Sequence, residues 1–183
     1  DKACEKLIID TIRHNFPTDS ILSEETGEIK GQSEFKWIID PNDGTSNFAH
    51  CLPIFGISIG LVKNGKPIAG VVEVPGLKET YWALEGQGAY LNNKKISVSK
   101  ASMIKSGLFA TGFPYSRAQR YEKNIELWNA FYKESHGVRR IGAASVDLCF
   151  LAAGRFDGYW EFDLKPWDIA AGKIILEEAG GAI

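Results

Sequence analysis

The sequence predicts an α/β fold, more specifically an α+β layered sandwich, because helical patterns near both ends enclose a run of short β-prone segments. In the first pattern, from Lys2 to His14, the apolar face is expected to contain Leu7, Ile8, Thr11 and Ile12. No internal repeat, low-complexity tract or linker interrupts the 183 residues. We therefore expect a single domain over residues 1–183. Because the chain starts at Asp1 and stops directly after a helical pattern, we expect this domain to be an incomplete part of a longer protein.

The middle of the chain predicts a series of strands. Residues 35–40 (FKWIID) are apolar and β-prone, and we expect this buried strand to end at Pro41, since proline cannot donate to a ladder. Two further β-prone segments flank Asn64-Gly65, a dipeptide typical of tight hairpins. Turns are also expected at Pro75-Gly76 and at 86–88. This region therefore predicts an antiparallel meander.

The second half of the chain returns to helical patterns. Helices are expected over residues 117–133 and 142–153, and a strand over residues 156–162. A last helix is expected from Pro166 to Ala179, because proline is favoured in a first turn and Gly180 follows the end.

Composition excludes several classes of protein. Hydrophobic residues make up 44% and charged residues 24% of the chain, and the net charge is −2, so neither a nucleic-acid surface nor a membrane surface is indicated. No stretch is apolar and long enough to span a membrane. The three cysteines are isolated, which favours buried thiols in a reducing compartment, and we expect a cytoplasmic protein.

The most informative string is WIIDPNDGTSNF, residues 37–48. A strand delivers Asp40 at its carboxyl end, and a turn brings Asp43 back beside it. Their carboxylates and the main-chain carbonyl of Asn42 are oxygen ligands that suit Mg²⁺. A hydrophilic turn is the structural alternative for a bare Asp-Gly, but the complete string after a buried strand favours a functional site.

A helix is expected to begin at Gly44 or Thr45, directly after these acids. The free N–H groups of its first turn would face the same point and could hold a phosphate.

Two more acids are candidates for the same site. Asp168 lies at the start of the last predicted helix, where on its own a structural capping role is the better interpretation. Glu24 follows an apolar pair and could offer another carboxylate, although the pair Glu24-Glu25 alone is more typical of a solvated surface.

Three segments resemble the inositol monophosphatase family. Residues 37–48 resemble its first motif, residues 167–172 and the Glu-Ala-Gly-Gly at 178–181 resemble its second, and Glu24-Glu25 lies at the matching distance before the first. The resemblance covers essentially the whole chain and is strongest to bacterial members. It implies the alternating helix and sheet layers that this family shares with fructose-1,6-bisphosphatases, and two or three Mg²⁺ per site.

The resemblance also implies roles for particular residues. Asp40 would bridge two metals, Glu24 and the Asn42 carbonyl would complete the first site, and Asp43 and Asp168 would complete the second. Asp1 would pair with Thr45 to orient a nucleophilic water, so that the catalytic group consists of Asp1, Glu24 and Thr45. Substrate would contact Asn42, Asp43, Gly44, Thr45, Gly142, Ala143, Ala144, Glu161 and Asp168, with Glu161 on its hydroxyl groups.

The activity implied is Mg²⁺-dependent hydrolysis of inositol 1-phosphate to myo-inositol and phosphate by a metal-activated water. Lithium sensitivity, a homodimer and a small phosphorylated polyol or sugar as substrate are implied with it. Two alternatives stay open. One is another phosphatase of the superfamily, acting on fructose 1,6-bisphosphate or a phosphorylated nucleotide. The other is a regulatory binding protein that contacts RNA or transcription machinery, for which the small basic patches Lys94-Lys95 and Arg139-Arg140 are weak support.

Overall fold

The structure is a computed structural model that describes residues 1–113 and 119–183. Its helices are α1 (Lys2–Asn15), α2 (Thr45–Ala49), α3 (Gln119–Glu134), α4 (Ala144–Ala152) and α5 (Pro166–Glu178). Its strands are β1 (Ser20–Ser23), β2 (Gly27–Ile29), β3 (Phe35–Asp43), β4 (Gly56–Lys63), β5 (Lys66–Val74), β6 (Glu79–Leu84), β7 (Gly88–Leu91), β8 (Lys94–Ile96), β9 (Leu108–Thr111), β10 (Gly137–Arg139) and β11 (Gly158–Trp160).

The strands form two sheets. An eight-stranded sheet has the order β2-β1-β3-β4-β5-β6-β7-β8 and is antiparallel except where β1 pairs with β3. A three-stranded parallel sheet has the order β10-β9-β11. Helices α4 and α5 pack on the large sheet and on each other, α4 also contacts β11, α1 contacts β3, and α3 contacts β10. The predicted layered α/β architecture is confirmed.

Helix α5 lies unusually close to the large sheet. A Cβ atom built on Gly60 would lie 2.9 Å from the Ala170 Cβ, and one built on Gly70 would lie 2.8 Å from the Ala171 Cα. These two glycines therefore let the helix backbone approach the strands, and this contact fixes where α5 begins.

Helix α1 covers the opposite face of the sheet. Its Ile9 and Ile12 pack with Ile21 and Ile39. The predicted apolar face was therefore only partly right, because Ile12 is buried but Leu7 is 70% exposed. The buried stripe follows residues 5, 9 and 12, which places Leu7 on the outer side of the helix.

The meander around Asn64-Gly65 is confirmed, and both turn residues have positive φ, 49° and 83°, as a tight hairpin requires. Strand β3 does not end at Pro41, as expected, but continues through it to Asp43. Its register shifts at this point, so that proline lies where a ladder hydrogen bond is not needed.

Other boundaries also differ from the expected ones. Helix α4 begins at Ala144 rather than at Gly142, whose φ of 84° is not helical. Strand β11 covers only residues 158–160 of the predicted 156–162. The first two residues of the helix predicted over 117–133 lie outside the described residues. The cysteines are unpaired, but only Cys149 is buried. None of the helices in the described ranges has an apolar run that could cross a bilayer.

Candidate functional site

A cleft of about 770 Å³ lies where the ends of β1 and β3 meet the first turn of α5 and the segment after β11. Six acidic side chains and two basic ones line it. The acidic residues are Glu24, Asp40, Asp43, Glu161, Asp163 and Asp168, and the basic residues are Arg120 and Lys165. Arg120 is already paired with Asp163 at 2.7 Å, so the acids that remain far outweigh the cations.

An extra residue in β3 brings Asp40 and Asp43 to the same cleft. Asp40 pairs with Ser58 and Asp43 with Gly56, so three steps along β3 match two steps along β4. In a regular strand, residues three apart point to opposite faces, and this bulge removes that alternation. The N–H of Asn42, within the bulge, donates to Asp40 Oδ1 at 2.9 Å.

Asp43 is held from the other side by α4. The N–H and the Oγ of Ser145 both donate to Asp43 Oδ2 at 2.6 Å. Burial raises the pKa of Asp43 to about 7, and the Ser145 hydrogen bonds oppose this rise. The sequence analysis missed Ser145, because its partner is 102 residues away and no local pattern marks such a contact.

Glu24 and Asp40 meet because β1 and β3 are parallel neighbours that end at the same edge of the sheet. Both side chains line the cleft, and burial raises the pKa of Glu24. Burial, together with the charges of Asp43 and Glu24, raises the pKa of Asp40 to about 9. Because two like charges ~4 Å apart repel by about 4 kcal/mol at an effective dielectric of roughly 20, these acids cannot all ionise without a compensating cation.

The position of Asp168 is compatible with both the capping and the functional interpretation. Its Oδ2 accepts a hydrogen bond from the Lys165 N–H at 2.6 Å, which is a structural role at the start of α5. The same side chain lines the cleft, and burial raises its pKa.

The oxygen-rich lining fits a hard divalent cation such as Mg²⁺, and hydrogen-bonded carboxylates of this kind are usual around metals. Within residues 1–113 and 119–183, however, no three His, Cys, Asp or Glu side chains are oriented to hold one ion together. One oxygen of Asp40, of Asp43 and of Asp168 accepts a hydrogen bond from a protein N–H.

The structure places Asp1 and Thr45 on either side of Asn42 rather than against each other. Asp1 Oδ1 accepts a hydrogen bond from Asn42 Nδ2 at 2.6 Å, and Thr45 Oγ1 donates to the Asn42 carbonyl at 3.0 Å. Thr45 lines the cleft, whereas Asp1 is exposed and is not part of its lining. Asn42 therefore lies between the two residues that are predicted to orient a water molecule together, and that joint role stays a prediction.

Three predicted substrate contacts do not line the cleft either. Ala143 and Ala144 are 2% and 6% exposed, and the Ala143 Cβ lies 3.1 Å from the position of a Cβ built on Gly44. Together with Gly142, they form the layer behind Gly44. Asn47 ties this layer to α2, because its Nδ2 donates to the carbonyls of Ile54 and Ile141, each at 2.7 Å.

Glu161 lines the cleft directly after β11. The Tyr159 hydroxyl donates to its Oε2 at 2.5 Å, and burial raises the pKa of Glu161. A Cβ built on Gly112 would lie 2.0 Å from the Glu161 carboxyl carbon. Gly112 therefore leaves the space that this carboxylate occupies, a role that no sequence motif indicated.

Comparison with known proteins agrees with this geometry. The model of the inositol monophosphatase family matches residues 1–183. The chain belongs to the inositol monophosphatase family. The resemblance found in residues 37–48 and 167–181 is thereby confirmed.

Relatives and a solved structure of the family extend the match. The chain is 46% identical to "Phosphatase IMPL1, chloroplastic" of Arabidopsis thaliana, covering 100% of this chain and 51% of that protein. It is 42% identical to "Nus factor SuhB" of Escherichia coli (strain K12), covering 100% of this chain and 69% of that protein. The structure of inositol monophosphatase from Anabaena (Nostoc) sp. PCC 7120 superposes with a TM-score of 0.92 at 43% identity, covering 98% of this chain and 72% of that one. The chain thus spans between half and about seven tenths of the length of these family members.

Proposed function

We propose that this chain is part of a single metal-dependent phosphatase domain that uses Mg²⁺ to hydrolyse inositol monophosphate. The observation that carries the proposal is the convergence of Glu24, Asp40, Asp43 and Asp168 in one cleft beside the start of α2. The family match and the names of the Arabidopsis and Anabaena proteins support a phosphatase and an inositol phosphate as substrate.

Mg²⁺ would be held by oxygen atoms from both sides of the cleft. Asp40 would be shared by two ions, with Glu24 and the Asn42 carbonyl on one side and Asp43 and Asp168 on the other. When bound, Mg²⁺ would neutralise these acids, attract the phosphate dianion and make a water molecule a stronger nucleophile. The hydrogen bonds from Ser145 and from the Lys165 N–H hold two of these carboxylates in fixed orientations.

The phosphate would lie against the first turn of α2. Gly44 precedes this helix with a φ of 91°, and the N–H groups of its first turn have no partner within the helix. Gly44 and Thr45 would therefore donate to the phosphate oxygens. The inositol ring would then extend towards Glu161, whose carboxylate can accept hydrogen bonds from its hydroxyl groups.

The test is phosphate release from inositol 1-phosphate with and without Mg²⁺, on the complete protein. We expect release only with Mg²⁺. Parallel assays with fructose 1,6-bisphosphate and a phosphorylated nucleotide discriminate between substrate classes. Preference for either of these would replace the inositol assignment, and turnover in the presence of a chelator would contradict the proposed mechanism. Lithium sensitivity, a homodimer and a cytoplasmic location stay predictions.

Thr45→Ala is expected to lower kcat about 100-fold and to leave KM nearly unchanged, because its hydroxyl would act on the attacking water while its N–H still binds phosphate. Thr45→Ser should retain most of the activity, and Asp1→Asn should behave like Thr45→Ala. Since both residues contact Asn42, the double variant should be little worse than either single variant. Steady-state kinetics check this, and full additivity of the two losses would show that Asp1 and Thr45 act independently.

Gly112→Ala is expected to weaken recognition of the inositol ring, because the new methyl group would displace the Glu161 carboxylate. A lost hydrogen bond to a charged group costs about 1.5–3 kcal/mol. The kcat/KM for inositol 1-phosphate should therefore fall at least about tenfold.

Hydrolysis of 4-nitrophenyl phosphate, which has no ring hydroxyls, provides the control for Gly112→Ala and should change less than threefold by the same reasoning. Equal losses on both substrates would contradict a role in ring recognition.

A regulatory role is the second candidate function, and the name "Nus factor SuhB" of the Escherichia coli relative supports it. The exposed Arg139 and Arg140 at the end of β10 offer positive charge outside the cleft. Binding of the complete Asp40→Asn protein to the transcription machinery tests this role separately from catalysis. Loss of binding in an Arg139→Glu variant would support it, and no binding by the parent would exclude it.

A further inference from the structure

A buried glutamate lies behind the turn that carries Glu24. Glu5 is in the first turn of α1, and only 4% of its surface is exposed. Carboxylates are seldom buried to this extent unless they have partners. None of the ion pairs formed by the described residues involves Glu5, so its partners must be uncharged donors.

These donors come from the last residue of β1 and from the turn between β1 and β2. Ser23 Oγ donates to Glu5 Oε1, and the N–H groups of Glu25 and Thr26 donate to the same oxygen at 3.2 Å and 3.1 Å. Thr26 Oγ1 donates to Oε2 at 2.6 Å. A single carboxylate thus accepts four hydrogen bonds from residues 23, 25 and 26, which enclose Glu24 in the sequence.

None of the hydrogen bonds to Glu5 involves the side chain of Glu24, which is therefore available to the cleft. The Glu24 N–H donates to the Ile39 carbonyl at 3.3 Å, which ties it to β3, and its side chain lines the cleft. The backbone of Glu24 is therefore bonded to β3, while Glu5 holds the residues on both sides of Glu24.

We propose that Glu5 is a positioning residue that sets the Glu24 carboxylate for Mg²⁺. The inference rests on the proposed function, in which Glu24 is a metal ligand. This role explains why α1 contains a buried glutamate that does not line the cleft.

The same helical turn also reaches the second element of that metal site. The Glu5 N–H donates to the Asp1 carbonyl at 2.9 Å, and Asp1 Oδ1 accepts from Asn42 Nδ2 at 2.6 Å. The first turn of α1 therefore contacts both the turn of Glu24 and the bulge that presents the Asn42 carbonyl.

The experiment compares Glu5→Ala with Ile9→Ala in the complete protein. Ile9 lies one turn along the same helix and packs with Ile21 and Ile39, so its truncation weakens α1 packing without removing a contact to the Glu24 turn. Mg²⁺ affinity is measured directly by isothermal titration calorimetry, and the melting temperature is measured for each variant.

We expect Glu5→Ala to weaken Mg²⁺ binding about tenfold, as loss of a residue that orients a ligand does. Ile9→Ala should lower the melting temperature but change Mg²⁺ affinity less than about twofold, because it leaves the ligands in place. Glu5→Gln should restore much of the affinity, since its amide oxygen can still accept from the two N–H groups. If Glu5→Ala does not fold, the Mg²⁺ affinity of Glu5→Gln is compared directly with that of the parent. We expect this affinity to fall about threefold, because the charge-assisted hydrogen bonds are lost.

Unchanged Mg²⁺ affinity in the Glu5 variants, or an equal loss in Ile9→Ala, would overturn this inference while the parent still binds Mg²⁺ and hydrolyses substrate. A parent that does not bind Mg²⁺ would overturn the proposed function itself, and the two failures are therefore distinguishable.

Discussion

Asp40→Asn is expected to reduce phosphate release at least about 1,000-fold, which corresponds to about 4 kcal/mol of transition-state stabilisation. The amide keeps the shape of the side chain but removes the negative charge that two metal ions would share. It also leaves the hydrogen bond from the Asn42 N–H to the oxygen of residue 40 intact, so the bulge should be retained. Residual turnover within tenfold of the parent would refute the shared role.

Asp163→Asn is the matched control for Asp40→Asn. Asp163 also lines the cleft, but it is paired with Arg120 and is not among the proposed ligands. Its substitution should change kcat less than about threefold, since an exposed ion pair contributes only about 0–1 kcal/mol. A similar loss in both variants would point to the total charge of the cleft rather than to the position of Asp40.

Without metal, Asp40→Asn should be more stable than the parent, although it is less active. Burial raises the pKa of Asp40 to about 9 in the folded chain, above the value of the unfolded chain. In the metal-free parent, the stability linked to protonated Asp40 is present in full only below the pKa of the unfolded chain, 3.8, and declines as pH rises to about 9, because the charged form is disfavoured in the folded state. Part of this stability is therefore already lost at neutral pH. With a chelator at neutral pH, we expect Asp40→Asn to melt at a higher temperature than the parent and to respond less to added Mg²⁺.

Gly70→Val is expected to destabilise the packing of α5 on the large sheet. A Cβ at this position lies 2.7 Å from the Ile174 Cγ2 and 2.8 Å from the Ala171 carbonyl oxygen, and the helix backbone cannot yield as a side chain can. Overpacking of this kind costs about 1–3 kcal/mol. For a chain of this size, the melting temperature should fall by roughly 2–12 °C.

The same substitution should also lower activity, because α5 carries Asp168 in its first turn. Gly86→Asn is the control, since Gly86 has a φ of 75° that asparagine tolerates and no atom within 4 Å of a built Cβ. An unchanged melting temperature in Gly70→Val would contradict the close approach of α5 to β5.

The parts of the fold that were predicted are those with a local cause. The hairpin at Asn64-Gly65 follows from two residues that adopt positive φ, and α5 follows from a proline at its start and Gly180 beyond its end. The buried face of α1 depends instead on its long-range partners. Leu7 and Ile9 are equally apolar in the sequence, and only the position of Ile21 and Ile39 decides which of them is buried.

The candidate site divides in the same way. Asp40, Asp43, Glu24 and Asp168 were identified from motifs, and the structure brings all four to one cleft. The residues that orient them, such as Ser145 and Glu5, form contacts across long stretches of sequence and leave no local pattern. Asp1 and Thr45 both form a hydrogen bond with Asn42, and their joint action on a water molecule stays a prediction.

The bulge in β3 means that this site depends on how many residues separate its acids, as well as on which residues they are. Asp40 and Asp43 share the cleft because one residue more lies between them than between their partners on β4. Removing Asn42 or inserting a residue beside it would rotate everything that follows, including the start of α2, while leaving every acid in the sequence. Such a chain would keep all of its acidic side chains, but the two acids would no longer face the same cleft.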